Sequence, residues 1–138
     1  MPDATHVGRR YEAPGQVIDG ERARRFAQSI AGEGAVPDLG PVPPTYAAVY
    51  CMFPALGRLF VDPEVGIDLT GLVHGEQSFD WHSPVTPGET VDACAEILAV
   101  EEKRGRLFVT LGLEARRPSG EAVLSGRSLF IVPKGGAQ

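Results

Sequence analysis

Several features that mark common function classes are absent from this sequence or scarce in it. It has only two cysteines, Cys51 and Cys94, which lie far apart in apolar contexts and without the paired spacing of a zinc site. Two buried thiols are the favoured interpretation, with one disulfide as the alternative. The sequence has no Gly-x-Ser-x-Gly elbow and no glycine-rich phosphate loop. These absences argue against a serine hydrolase and against a nucleotide-binding enzyme.

Long apolar runs and an excess of positive charge are also missing. The longest apolar run, residues 46–56, is about half the length of a membrane span and contains Pro54. The net charge of −5 argues against a nucleic acid or an anionic membrane as the partner. Because the N-terminal residues include no apolar signal segment, we expect a cytoplasmic protein that binds neither nucleic acid nor membrane.

Two helices are predicted in the first half of the chain. Asp19 is expected to cap a helix that begins near Gly20, carries one apolar stripe and ends at Gly32. Residues 45–60 are apolar nearly all round, which predicts a helix that is buried on most sides. Pro54 should kink this helix or divide it into two pieces.

The second half has the alternating period of an antiparallel sheet. Four strands are predicted near residues 73–82, 90–101, 106–116 and 121–132. Composition shows no break and no internal repeat, so we expect a single domain over residues 1–138. Its predicted class is α+β, with an antiparallel sheet wrapped around one long buried helix. Such a sheet leaves an edge strand, and dimerisation through sheet edges is a natural completion.

The stretch "LVHGEQSFDWHSPVTPGETV", residues 72–91, holds two of the three histidines. A strand period of two places five polar side chains on one face: His74, Glu76, Ser78, Asp80 and His82. For the last three, a solvated or interface face is favoured. For His74 and Glu76, beside Gly75, a substrate-lining role is an equal alternative. The two histidines would lie about 26 Å apart along a straight strand, so we expect no metal site.

A second candidate site is the start of the apolar helix in "GPVPPTYAAV". Thr45 is expected to cap the helix, which would leave the first amide groups free to bind a carbonyl oxygen or an oxyanion. The alternative interpretation is a helix start that is shaped only by its prolines.

Together, "PPTYA…FPAL" and "LVHGEQSFDWHSPVTPGETV" resemble the N-terminal hot-dog domain of MaoC-like and FAS1-like acyl dehydratases. In this family a strand ends in Phe-x-x-Pro-Val-x-x-Gly-Asp. Here the corresponding stretch runs from Phe79 to Glu89, with an insertion and with Glu in place of the final Asp. The resemblance implies a hot-dog fold and a relation to (R)-specific enoyl-thioester hydratases and (3R)-hydroxyacyl dehydratases, which need no cofactor.

The family's catalytic pair is an Asp and a His in the pattern Asp-x-Asn-Pro-x-His, before the long helix. The corresponding connector here, "AGEGAVPDLGPVPP", offers Asp38 but neither Asn-Pro nor a histidine, and no histidine occurs between residues 7 and 73. Since such chemistry needs an acid and a base side by side, the resemblance implies that this chain is the acyl-chain-binding subunit of a heterodimer. Its partner would be a catalytic hot-dog subunit that carries the Asp/His pair.

The substrate would then be an acyl thioester on an acyl carrier protein or on coenzyme A, in fatty-acid or polyketide biosynthesis. The residues expected to line its binding site are Pro44, Thr45, Tyr46, Val49, Tyr50, Phe53, His74 and Gly75. One alternative is a homodimeric hydratase or thioesterase that uses His74 and Glu76 as its catalytic pair. Another is a protein that binds an acyl ligand without turning it over.

Overall fold

The structure, a computed structural model, describes residues 1–32 and 40–134. Within these two ranges the chain forms two α-helices and five β-strands. They are β1 (Arg10–Val17), α1 (Gly20–Ala31), α2 (Phe53–Phe60), β2 (Val73–Trp81), β3 (Thr90–Lys103), β4 (Arg106–Arg116) and β5 (Ala122–Pro133). Short 3-10 turns cover Ala4–His6 and Pro44–Tyr46, and a π-helical turn covers Ala48–Met52.

The strands form one antiparallel sheet in the order β1-β3-β4-β5-β2. All four predicted strands are present, and so is the predicted α+β class. β1 was not predicted, because Pro14 and Gly15 interrupt any alternation in its sequence. The sheet accommodates this pair with a register shift between Ala13 and Gln16, where Gly15 takes a positive φ of 72°.

α1 begins and ends as predicted. Asp19 Oδ1 accepts hydrogen bonds from the N–H groups of Glu21 and Arg22, and Gly32 ends the helix with a φ of 95°. Its apolar stripe is buried at Ala23 and Ala27 but not at Ile30, which is 62% exposed.

The 17-residue central helix, residues 44–60, changes type along its length. A π turn precedes Pro54, in which the Phe53 N–H donates to the Ala48 carbonyl five residues earlier. Pro54 is the second residue of α2, and the π turn just before it accommodates a residue that cannot donate an N–H. The predicted division at Pro54 is therefore present as a change from π- to α-helix.

One side of the central helix packs into the core, and another side does not. Ala47, Cys51 and Leu59 have no exposed surface, whereas Phe53 is 60% exposed and Val61, just beyond the helix, is 78% exposed. The helix is therefore buried on most sides, as predicted, and one stripe is exposed because the sheet covers only the opposite side. Both cysteines are buried free thiols, as favoured from the sequence. Within residues 1–32 and 40–134, no helix combines the length and the hydropathy needed to cross a bilayer.

Candidate functional site

β2 and the central helix run in opposite directions. Near the start of β2, the His74 ring stacks on Phe130 with centroids 4.5 Å apart, and Phe130 meets Phe60 of α2 edge-to-face at 5.4 Å. At the other end of β2, Trp81 Nε1 donates to the carbonyl oxygen of Pro44 at 2.9 Å. β2 therefore follows the helix from its C-terminal end to its N-terminal end, and both candidate sites lie along this strand.

The predicted polar row is broken at Gly75. His74 pairs with Phe130 and Glu76 pairs with Leu129, so Gly75 is an extra residue that bulges out of the pairing. His74 consequently lies on the inner face of the sheet with Phe130, whereas Glu76 lies on the outer face. The prediction of one continuous row is wrong, since a one-residue shift moves a side chain to the other side of a sheet. The fallback pair His74 and Glu76 does not share a face.

On the inner face, His74, Gln77 and Ser128 form a polar cluster. Gln77 Oε1 accepts a hydrogen bond from the fully buried Ser128 hydroxyl and lies 3.1 Å from His74 Nε2. Gln77 Nε2 donates to the Ser78 carbonyl at 3.1 Å, which fixes the amide, since a flipped amide would set two oxygens against each other. An amide oxygen only accepts, so His74 Nε2 must be protonated. In the neutral ring, Nδ1 then carries the lone pair.

Neither of the other two histidines is paired with a carboxylate at the candidate sites. In the part of the chain that the structure describes, the one histidine–carboxylate contact joins His6 Nδ1 to Asp3 Oδ1 at 3.4 Å, within the N-terminal turn. His82 Nε2 lies 3.2 Å from the Ser125 hydroxyl. His6 caps the N-terminal turn, where Nδ1 accepts from the Asp3 N–H at 3.0 Å, and this turn joins β3 through Gly8 rather than β2. Among the described residues, neither His74 nor His82 forms an ion pair with a carboxylate.

No group of three His, Cys, Asp or Glu side chains in the described ranges is arranged to hold a metal ion. Asp38, the carboxylate of the connector, lies outside those ranges.

The start of the central helix borders a small cleft of about 180 Å³. Its lining residues are Val42, Pro43, Pro44, Tyr50, Trp81, His82, Ser83, Pro84 and Val85. Of the residues predicted to bind substrate, Pro44 and Tyr50 line this cleft. Tyr46 is buried against Phe26, with ring centroids 5.2 Å apart, and Val49 is half-buried against the core. His74 and Gly75 lie at the other end of β2, so the predicted residues do not form one pocket.

The expected oxyanion site at the helix start is not formed in the predicted way. Thr45 makes no capping hydrogen bond, and the turn begins instead at Pro43. Pro43 and Pro44 have no N–H, the Tyr46 N–H donates to Pro43 O, and the Ala47 N–H donates to Pro44 O and Thr45 O. The prolines and the tight turn thus remove most of the donors that the prediction required.

An arginine that was not predicted holds the wall of the cleft. Arg117 donates to Glu89 Oε1 at 2.8 Å, to the Ser83 hydroxyl at 2.8 Å and to the Pro84 carbonyl at 2.8 Å. The Arg117 hydrogen bonds, followed by the Thr86 N–H, lower the pKa of Glu89 from 4.5 to about 2. In the sequence, this network was indicated only by Glu89, which occupies the position of the final Asp in the family motif Phe-x-x-Pro-Val-x-x-Gly-Asp.

Comparison with known proteins identifies the family of this chain. A family model described as FAS1-like, dehydratase domain region, matches residues 5–125. The chain belongs to this FAS1-like dehydratase family. Over an alignment of 146 positions, gaps included, it is 28% identical to the UPF0336 protein of Saccharopolyspora erythraea, and the alignment covers 96% of this chain and 92% of that relative.

Two solved structures show the same fold as this FAS1-like dehydratase domain. The C-terminally truncated HadBC (3R-hydroxyacyl-ACP dehydratase) complex from Mycobacterium tuberculosis matches with a TM-score of 0.72 and 23% identity, over 91% of this chain and 96% of that one. A MaoC-like dehydratase from Rhodospirillum rubrum matches with a TM-score of 0.65 and 16% identity, over 95% and 94%. The predicted hot-dog fold is thereby confirmed.

Proposed function

We propose that this chain is the acyl-chain-binding, non-catalytic subunit of a heterodimeric 3-hydroxyacyl-thioester dehydratase. Dehydration removes the α-proton and expels the 3-hydroxyl as water, so a base and an acid must both reach the substrate. The observation that carries the proposal is the setting of the histidines on and beside β2. His74 is bonded to an amide and His82 lies beside a serine, and neither forms an ion pair with a carboxylate among the described residues.

The surface of the central helix and β2 supports a hot-dog partner. Within the part of the chain that the structure describes, β2 pairs only with β5, so its other edge is open. Exposed apolar side chains lie on or beside the same elements: Phe53 at 60%, Val73 at 52% and Trp81 at 47%. A partner that extends the sheet and covers these residues would bury them. The fold also matches a chain of the HadBC dehydratase complex, which supports a partner of the same kind.

The substrate in this proposal is an acyl chain held as a thioester on an acyl carrier protein or coenzyme A. The inner face of β2 and the helix start offer mainly aromatic and aliphatic walls with a few polar groups, as acyl-binding sites require. The partner would supply the Asp/His pair.

The decisive experiment compares the chain alone with the chain co-purified with a hot-dog protein from the same genome that carries the Asp-x-Asn-Pro-x-His pattern. The assay follows hydration of a 2-enoyl thioester. We expect no hydration by the lone chain and strong hydration by the complex.

Replacing His74 with Asn should change the kcat of the complex by less than about threefold, because no proton transfer is assigned to it. Strong hydration by the lone chain, lost in His74→Asn, would instead establish the homodimeric enzyme. A bound acyl ligand without turnover in any combination would establish a binding protein.

The proposed interface has a separate test. Phe53→Asp places a charge in the contact with the partner, where it would be buried without a counter-charge. We expect partner binding to weaken by at least about tenfold with an unchanged melting temperature of the isolated chain, since Phe53 is already exposed. Val17→Asp is the matched control, because Val17 is 64% exposed at the end of β1, the other edge of the sheet. Equal binding by both variants would place the interface elsewhere.

A further inference from the structure

Tyr50 carries an unusual hydroxyl. The residue is only 5% exposed, yet its hydroxyl has no hydrogen-bond partner among the described residues. Buried tyrosine hydroxyls normally find one. Tyr11 shows the ordinary arrangement, because its hydroxyl donates to Asp62 Oδ2 at 2.6 Å. Among the described residues, the Tyr50 hydroxyl is therefore left open to a further hydrogen-bonding group.

The position of Tyr50 shows where that group would be. In the described ranges, every side-chain oxygen or nitrogen that is fully buried has a hydrogen-bond partner. The Tyr50 oxygen has no partner there, so it is not fully buried and keeps a small solvent-accessible surface. Tyr50 lines the cleft between the helix start and the end of β2. The accessible hydroxyl of an otherwise buried ring thus opens to this cleft.

The chemistry of the cleft selects the ligand. Beside Tyr50, its walls are mostly aliphatic or aromatic, including Val42, Pro44, Trp81 and Val85. The nearby cation, Arg117, is engaged by Glu89, Glu121, Ser83 and Pro84, so it offers no free charge to an anion. Burial raises the pKa of Tyr50, which keeps the hydroxyl protonated as a donor. A volume of about 180 Å³ is smaller than a whole ligand site, so only a segment of a ligand enters.

We propose that this cleft is a hydrogen-bonding subsite in which Tyr50 donates its O–H to an uncharged carbonyl or hydroxyl oxygen on a slender aliphatic chain. The inference rests on the proposed function for the source of that chain. An acyl thioester offers two sources of such an oxygen. One is a carbonyl, either an amide of the pantetheine arm or the thioester carbonyl of the acyl group, and the other is the 3-hydroxyl of the acyl group.

The test measures binding to the complex, assembled with a partner whose acid–base histidine is replaced by alanine so that no probe is consumed. The probes are S-decanoyl-pantetheine, S-(3-hydroxydecanoyl)-pantetheine and ethyl 3-hydroxydecanoate, which has no arm. Tyr50→Phe removes only the hydroxyl, and we expect it to weaken binding about 3- to 10-fold. Tyr11→Phe, which removes a hydroxyl on β1 far along the sheet from β2, should leave all three affinities unchanged.

The pattern of losses identifies the acceptor. Weaker binding of the two pantetheine probes alone assigns an amide carbonyl of the arm, and weaker binding of the two hydroxylated probes alone assigns the 3-hydroxyl. Equal weakening of all three assigns the acyl carbonyl, which is a thioester in two probes and an ester in the third. Unchanged affinity in Tyr50→Phe for every probe, or no binding by the unmodified complex, overturns the subsite. If the unmodified complex with its active partner still hydrates enoyl thioesters, the proposed function survives that failure. If it does not, while Tyr50→Phe still weakens binding, the subsite stands and the proposed function falls.

Discussion

The two ends of β2 are built differently. At its start, the bulge at Gly75 turns His74 inward to a short polar cluster, and the strand has no anchor beyond its pairing with β5 in the described part of the chain. At its end, Trp81 is bonded to the helix start, and Arg117 fastens the following loop to the β4–β5 hairpin. The end of β2 is thus a fixed wall of the cleft, whereas the start presents polar groups beside an open edge. A rigid wall suits a site that must discriminate, and an open edge suits assembly.

Removing Arg117 should have the largest effect on the fixed end. Arg117→Met breaks five hydrogen bonds and leaves Glu89, Ser83 and the Pro84 carbonyl without this partner. Since the Arg117 side chain is only 18% exposed, we expect the free energy of unfolding to fall by about 2–3 kcal/mol in urea titrations. Arg116→Met is the control, because its pair with Glu114 is exposed and contributes less than about 1 kcal/mol. Equal losses would mean that the loop is held by other contacts.

Substitution in the polar cluster at the start of β2 should lower the free energy of unfolding by less than Arg117→Met does. Gln77→Leu leaves the fully buried Ser128 hydroxyl without its acceptor, which we expect to cost about 1–2 kcal/mol of unfolding free energy. Adding Ser128→Ala to Gln77→Leu removes the stranded hydroxyl and should recover part of that loss. A double variant no more stable than Gln77→Leu alone would contradict the hydrogen bond as the source of the effect.

A dependence on acidity is also predicted at the fixed end of β2. The pKa of Glu89 is lowered from 4.5 to about 2, so its ionised form stabilises the native state at neutral pH. This contribution is complete above about pH 4.5 and is lost as the pH falls towards 2. Wild type should therefore be more stable than Glu89→Gln at pH 7, and the difference in melting temperature should shrink across that acidic range. A difference that stays constant between pH 7 and pH 3 would show that the carboxylate is not the titrating group.

What could be predicted from the sequence followed from regular periodicity. The strands after residue 72 and the cap at Asp19 were predictable because alternation and capping are local properties. The bulge at Gly75 was not, since it depends on which residue of β5 faces each residue of β2. Without it, His74 and Glu76 read as neighbours on one face. Thr45 was assigned a cap because its type favours one, but the prolines before it set an earlier and tighter start.

The interactions at the fixed end of β2 could not be predicted for a related reason. Arg117 and Glu89 are separated by 28 positions in the chain and meet only because β3 and β4 bring them together. Tyr50 was predicted to line the acyl site from its place on an apolar helix. That its hydroxyl is unpaired could be seen only once every neighbour was in position.

The extra residue at Gly75 has a consequence for how this strand can vary. Deleting that single codon would make His74 and Glu76 direct neighbours in a strictly alternating strand, so the imidazole and the Glu76 carboxylate would still lie on opposite faces. The two side chains would share a face only if Gly75 were taken into regular pairing, which requires one more residue in β5 opposite it, and no exchange of one side chain for another would have that result.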